Sequence, residues 1–316
     1  MAHYLLVGGA EFIGCALASR LLQDGNYVTI LDDFSDSQPE NIARLRCNVV
    51  RDDFRFCHEL PSLLKDCDGV YHLANRRLSL SVENPFMDLD YNAIGTITLL
   101  EAVRIVNIPL VMVSSPSVYG NADKVPTPES SVLNPVTPYG VSKLASEEYC
   151  RLYTRVYGFK TVVARVHSPY GIHQGLDRVV PKFVKQAIDG EPFSVEGNGR
   201  QRRTFTYVDD VVNALITLME DGNGGEAYNV SGEKPYSILG LAQVVSKVTN
   251  VPVRLNKTPR AFMDIDNSRP ATAKIRRLGW KPSVNLVQGV ERVHRWLKDE
   301  YDQSSLREQL ESFATP

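Results

Sequence analysis

Hydrophobic and polar positions alternate in two rhythms along the first half of the chain. Short apolar runs at residues 3–7, 27–31, 48–51, 69–73, 109–114 and 161–166 predict strands. Between them lie stretches of helical period. Residues 12–24 put Ile13, Ala16, Leu17 and Leu21 on one face, and residues 92–106 repeat Ile94, Ile97, Leu100 and Val103. Residues 139–156 are helical too. Strands that alternate with helices predict a parallel sheet covered on both faces. Pro126, Pro128, Pro135 and Pro138 exclude a helix over residues 120–138, so a long surface loop is expected there. Beyond Ser168 the rhythm loosens, with glycines and arginines clustered at 196–203. A last helical pattern covers 286–296, and the polar residues 298–316 extend it as a loose helix.

The chain has 316 residues, enough for two domains and a sizeable core. Its 43% hydrophobic and 23% charged residues exclude a disordered or collagen-like chain. A net charge of −2 gives no general attraction to nucleic acid or to an acidic membrane. No run approaches the ~18 apolar residues of a membrane span. The apolar run Tyr4–Val7 is too short for a signal peptide. Cys15, Cys47, Cys57, Cys67 and Cys150 are odd in number and form no C-x-x-C pair, and no two histidines stand four apart. Neither a disulfide framework nor a metal site is expected, and a reducing, cytoplasmic setting follows.

The first strand runs into Gly8-Gly9-Ala10-Glu11-Phe12-Ile13-Gly14. Gly8 and Gly14 span a strand-to-helix turn, which aims free N–H groups and the positive helix end at a pyrophosphate. Asp32 ends the next strand, where a carboxylate accepts from both hydroxyls of an adenine ribose and repels a 2′-phosphate, so NAD is expected over NADP. Asp53, after the third strand, is placed to accept from the adenine amino group.

Tyr139 and Lys143 stand four apart at the start of a helix and share a face. A tyrosine with pKa near 10 is a poor base at neutral pH. A neighbouring ammonium and a cationic nicotinamide ring both favour the phenolate. Lowering the pKa by ~3 takes about 4 kcal/mol, within the reach of one close, partly desolvated charge. Such a phenolate takes a proton from a sugar hydroxyl as hydride departs. Ser115, at the preceding strand end, is placed to hold the same oxygen and relay the proton.

These segments, with Ser114-Ser115-Pro116-Ser117-Val118-Tyr119-Gly120 and Tyr139-Gly140-Val141-Ser142-Lys143, resemble the extended short-chain dehydrogenase/reductase family, in its nucleotide-sugar epimerase/dehydratase branch. Tyr71-His72-Leu73-Ala74, Asn92-Ala93-Ile94-Gly95-Thr96, the stretch from Gln201 to Asp210, and Leu278-Gly279-Trp280-Lys281-Pro282 extend the resemblance over nearly the whole chain. It implies a Rossmann-like, doubly wound α/β fold with a smaller C-terminal α/β substrate-binding domain. Residues 1–168 would form the NAD domain, with 205–231 returning to it, and 169–204 plus 232–316 the substrate domain. Ser115, Tyr139 and Lys143 would be catalytic. Gly8, Phe12, Ile13, Gly14, Asp32, Asp53, Phe54, Leu73 and Ala74, with Tyr139 and Lys143, would hold NAD. Ser115, Ser117, Ser168 and Arg203 would meet the substrate, Arg203 on its pyrophosphate. Arg269, or else Arg260, would add a second arginine. Asn92 would be structural, His167 a packed histidine and Trp280 a core anchor. A homodimer through the helices near Asn92 and Tyr139 is also implied.

The chain departs from the family's pattern at several places. Glu11 stands where glycine is usual, Asn75-Arg76-Arg77 replaces a small neutral stretch, and the loop to Pro85 is one residue short. Ser168 replaces an asparagine and Thr204 an aspartate. Dehydratases and decarboxylases of the branch carry a glutamate at the position of Ser117, an acid/base that a 4-epimerase does not need. The expected reaction is therefore 4-epimerisation of a nucleotide sugar, with UDP as carrier. A dehydratase, decarboxylase or reductase, or a degenerate NAD-binding protein, is the alternative.

Overall fold

A computed structural model describes residues 1–259 and 265–313, with side chains as far as 300. Seven parallel strands form the central sheet: β1 (His3–Val7), β2 (Tyr27–Asp32), β3 (Asn48–Arg51), β4 (Gly69–His72), β5 (Leu110–Ser114), β6 (Thr161–Val166) and β7 (Glu226–Val230). Their order is β7-β6-β5-β4-β1-β2-β3. The chain winds outward from β1 in one direction and from β4 in the other, so a crevice opens at the strand ends between them.

Successive residues of a strand face opposite sides, and here both sides are buried. Leu6, Ile30, Tyr71, Val111 and Val162 pack with α1 (Phe12–Gln23) and α5 (Val208–Asp221). Leu5, Val7, Val70, Leu110 and Met112 pack beneath α2 (Gly95–Val106) and α3 (Pro138–Tyr157). Helix α2 begins three residues later than the apolar repeat predicts. Residues Asp90–Ile94 form a wider turn instead. The Asn92 carbonyl there accepts from the hydroxyls of Thr96 (2.5 Å) and Ser146 (2.9 Å).

A third core joins α4 (Val179–Ile188), α6 (Ile238–Thr249) and α7 (Leu286–Phe313) through Phe183, Val184, Leu241, Val245, Val290 and Val293. Phe12, at the first turn of α1, belongs to this core, so the dinucleotide turn packs directly against the C-terminal layer. A small sheet sets Arg202–Thr204 between Pro235–Ser237 and Asn267–Ser268. Trp280 is buried and donates its indole N–H to the Asp210 carbonyl at 3.0 Å. Among the described residues, no helix is long and apolar enough to cross a membrane.

Candidate active site

A cleft of about 830 Å³ opens above the ends of β1, β4 and β5 and reaches the C-terminal layer. Its floor at one end is the turn from Gly8 to Gly14. Gly8 has φ +76°, and a Cβ there would lie 2.5 Å from the Ala74 nitrogen. A Cβ on Gly14 would lie 2.5 Å from the Gly9 carbonyl oxygen. Only glycine lets β1, the β4 loop and α1 converge this closely. The N–H groups of the first turn of α1 are thereby left open to an anion. Phe12, Ile13 and Leu73 line the same end.

Asp32 does not line the cleft. Its carboxylate braces the turn from behind, accepting from the Ala10 N–H, the Phe34 N–H and the Ser37 hydroxyl, each at 2.9 Å. Asp53 is gripped by Arg55, whose Nε lies 3.0 and 3.1 Å from its two oxygens. Burial pushes the Asp53 carboxyl up, but the Arg55 guanidinium outweighs this and holds it below the usual range. Phe54 is buried edge-on against Tyr91 at 5.3 Å between centroids, and Ala74 is buried against Gly8.

The middle of the cleft gathers Ser115, Ser117 and Tyr139. Ser115 leaves the end of β5 and caps the turn Pro116–Tyr119. Its Oγ accepts from the Ser117 N–H at 3.2 Å and donates to the Ser117 Oγ at 3.1 Å. Helix α3 starts where Thr137 Oγ1 accepts from the Gly140 N–H (3.0 Å), with Pro138 in the first turn. Tyr139 and Lys143 then occupy successive turns of one face. The Tyr139 hydroxyl donates to Asn75 Oδ1 at 3.2 Å. Burial pushes that hydroxyl up to about 12, against the pull of the Ser115 hydroxyl and of Arg178.

Lys143 is buried, 2% exposed, and among the described residues its ammonium makes no hydrogen bond or ion pair. Burial brings it down to about 8, with Glu147 one turn along acting in the opposite sense. Glu147 is itself held by Arg165 (2.6 Å) and by the Ser114 hydroxyl (2.5 Å). A buried cation without a partner, one turn below a cleft tyrosine, fits a dinucleotide: ribose hydroxyls would satisfy it, and a nicotinamide ring would lie beside the phenol.

The far end holds Ser168, Lys182, Gln201, Arg203 and Phe205. Ser168 has φ +38°, a left-handed backbone that serine rarely adopts and asparagine tolerates better. Arg203 projects from the small sheet and donates to the Arg202 carbonyl at 2.8 Å. The Arg269 side chain is exposed and is not part of the cleft wall. Its carbonyl accepts from the Thr127 N–H at 2.9 Å. Arg260 lies outside the described residues. His167 is buried against Ser268 and Asn229, and burial lowers it to about 3. Thr204 is buried and donates to the Ser268 carbonyl.

The fold thus gathers Gly8, Phe12, Ile13, Gly14, Leu73, Ser115, Ser117, Tyr139, Ser168 and Arg203 in one cleft and puts Lys143 beneath it. It adds Asn75, Arg77, Arg178 and Lys182, which the sequence reading did not place there. Asn75 and Arg77 follow a strand end, the local signal that could have marked them.

Comparison with known proteins agrees with this arrangement. Residues 4–231 match the NAD dependent epimerase/dehydratase family. The UDP-glucose 4-epimerase of Mycolicibacterium smegmatis is 30% identical over 310 residues, covering 93% of this chain and 98% of that one. UDP-glucuronic acid decarboxylase 1 of Danio rerio is 30% identical over 309 residues, covering 94% and 73%. The UDP-glucuronic acid 4-epimerase of Bacillus cereus, in complex with UDP-glucuronic acid and NAD, superposes with a TM-score of 0.89 at 28% identity, covering 95% and 100%. Fold, cleft and relatives together establish that this chain belongs to the NAD-dependent epimerase/dehydratase family.

Proposed function

We propose that the chain is a nucleotide-sugar 4-epimerase acting on a UDP-hexose. The observation that carries this reading is the pair of hydroxyls at the end of β5, Ser115 and Ser117, 3.1 Å apart. Dehydration or decarboxylation next to a new ketone calls for an acid/base group beside the sugar, and a serine hydroxyl is a poor substitute for a carboxylate. Oxidation and re-reduction at C4 need only a base and a holder for one oxygen.

NAD, when bound, accepts hydride from C4 and returns it. Tyr139, pushed up to about 12 without nucleotide, would lose its own proton to solvent once the cationic ring and Lys143 favour the phenolate, then take the C4 hydroxyl proton on the outward step and give it back on the return. Its donation to Asn75 must break first, since the same hydroxyl then faces the substrate oxygen. Ser115 holds that oxygen and passes the proton. Lys143 places a positive charge one turn below the phenol and favours its anion. Arg203 and Lys182 at the far end suit the substrate diphosphate.

Relatives that include UDP-glucuronic acid decarboxylases support a second reading, a decarboxylase or dehydratase. NMR of a panel of UDP-sugars with the enzyme separates the two. An inverted C4 centre with no net reduction of NAD is expected, and Tyr139→Phe should abolish it while retaining cofactor. Release of CO₂, or a 4-keto-6-deoxy product, would overturn the assignment.

The same reading includes a homodimer. Phe86, Ile94, Ile105, Val141 and Val156 are exposed on or beside α2 and α3, at 50–83% of their full area. A second copy laying its own α2 and α3 there would cover them. Sedimentation should give twice the chain mass, and a monomer at micromolar concentration would exclude this.

A further inference from the structure

Glu11 immediately precedes α1, and its carbonyl accepts the first helical hydrogen bond, from the Cys15 N–H at 2.8 Å. Its backbone is extended (φ −91°, ψ 172°), and its side chain caps none of the helix's N–H groups. The carboxylate lines the cleft at the dinucleotide turn and makes no hydrogen bond or ion pair among the described residues. It therefore sets an anionic group where a helix start and a glycine turn are arranged to receive phosphate.

Charged groups face it from each surrounding element. Asp32 comes from the end of β2 and Asp36 from the loop after it, Arg77 from the loop after β4, and Arg178 from the start of α4. The two arginines are already engaged. Arg77 lies 3.3 Å from Asp36 and 3.7 Å from Asp177, and Arg178 lies 3.8 Å from Asp177. Arg76 reaches the same Asp36 at 3.7 Å. Glu11, Asp32, Asp36 and Asp177 thus face Arg76, Arg77 and Arg178, leaving one anion uncompensated. A pyrophosphate would add two more negative charges.

We propose that NAD binding in this chain is coupled to protonation of Glu11: the neutral acid admits the pyrophosphate beside the start of α1, and the carboxylate opposes it. The carboxylic acid also provides an O–H that can donate to a phosphate oxygen, so the proton both removes a repulsion and supplies a contact. The inference rests on the family's cofactor and not on the epimerase reading. Burial raises the Glu11 carboxyl to about 7, against Arg178, with Asp36 adding to the rise, so the proton exchanges within the neutral range.

The direction follows from linkage. Bound pyrophosphate favours the protonated acid, so the complex holds more protons than the free protein, and affinity falls as pH rises. With only the acid form competent, the apparent Kd should rise about tenfold between pH 6 and pH 8. Cys15 and Tyr139 also sense Glu11, but in the nucleotide-free protein both are pushed up to about 12 and stay protonated over that range. His173, which also lines the cleft, is held below its ordinary value by burial. Lys143, at about 8, titrates as well. Its effect sets in near the top of the range and persists when Glu11 is replaced.

The test is calorimetric titration of nucleotide-free protein with NAD, ADP-ribose and adenosine at pH 6, 7 and 8, in buffers of differing ionisation enthalpy. Wild type should bind NAD and ADP-ribose about tenfold more weakly at pH 8 than at pH 6, taking up roughly half a proton or more per nucleotide at pH 7. Adenosine, which lacks phosphate, should show neither effect. Glu11→Gln and Glu11→Gly should both lose most of the pH dependence and the proton uptake at pH 7. A flat wild-type profile, or an unchanged slope in Glu11→Gln, overturns the proposal. No NAD binding by any variant at any pH overturns it together with the cofactor. The slope persisting in a protein that epimerises no UDP-sugar overturns only the reaction assigned above.

Discussion

Replacing Lys143 by methionine should make the nucleotide-free protein more stable while abolishing turnover. Lys143 is 2% exposed, and burial lowers its pKa from 10.5 to about 8. At 1.36 kcal/mol per pKa unit, that fall corresponds to about 3 kcal/mol held against the folded state. The sign follows from proton counts. Below about pH 8 both folded and unfolded chains carry the proton, so the penalty is complete. Between 8 and 10.5 the unfolded chain holds more protons than the folded one, so stability rises with pH and the penalty fades. Methionine keeps much of the side chain's length and volume and removes the charge. Urea denaturation of stripped protein should show Lys143→Met ahead by about 3 kcal/mol at pH 7. The difference should shrink towards pH 10.5, and it is this difference that isolates Lys143 from other titrating groups. A variant no more stable than wild type at pH 7, or a gap that stays constant with pH, would refute the argument that the ammonium is buried at a cost.

Three further expectations follow from the same geometry. Glu147→Gln removes one partner of a buried pair that includes Arg165 at 2.6 Å, and should cost about 3–5 kcal/mol in urea denaturation, much of it recovered when Arg165 is also replaced by methionine. Gly14→Ala would drive a Cβ to within 2.5 Å of the Gly9 carbonyl oxygen, so a loss of roughly 1–3 kcal/mol of stability and weaker NAD binding by calorimetry are expected. Ser168→Asn places a residue tolerant of the left-handed region at φ +38°, and should raise thermal stability by an amount on the order of 1 kcal/mol. A change in turnover of the same variant would report on substrate contact there.

The strands β1, β2, β4, β5 and β6 were legible because both their faces are largely buried, whereas β7 was not singled out. A run such as Leu110–Ser114 reads as strand with little outside help, and its predicted start differs from the observed one by a single residue. Helix α7 was legible from its first residue, Leu286, but α4, α5 and α6 were not, for a related reason. Helix α5 packs Val211, Leu215 and Leu218 towards the sheet and Val208 towards the C-terminal layer. Burial on two sides blurs the one-face period that marks a helix, and the β-branched valines at its start mimic a strand. Within the site, Tyr139 and Lys143 were readable because four residues of helix bring them together. Asn75 on Tyr139, and Arg178 near Glu11, are joined by chain folding across 64 and 167 residues, and no local pattern encodes that. Asp53 illustrates the reverse: its partner Arg55 stands only two residues away in the chain.

Where the chain tolerates unfavourable features is itself informative. Away from the cleft, two buried charged clusters are fully engaged. Arg165 and Glu147 form a bidentate pair, and the Asp210 carboxylate accepts from the Ser283 N–H and hydroxyl and the Val284 N–H. Around the cleft the pattern reverses. A buried ammonium lacks a partner, a carboxylate stands at a helix start without a counterion of its own, and a serine sits in left-handed backbone. Local rules broken together around one cleft fit a site whose missing partners come from a ligand. A dinucleotide would supply ribose hydroxyls to Lys143, and its pyrophosphate would turn Glu11 from charged to neutral. The two act in opposite senses: binding relieves the cost of the buried ammonium and so makes the complex more stable than its visible contacts suggest, whereas Glu11, which must first take up a proton, subtracts from that gain as pH rises past about 7.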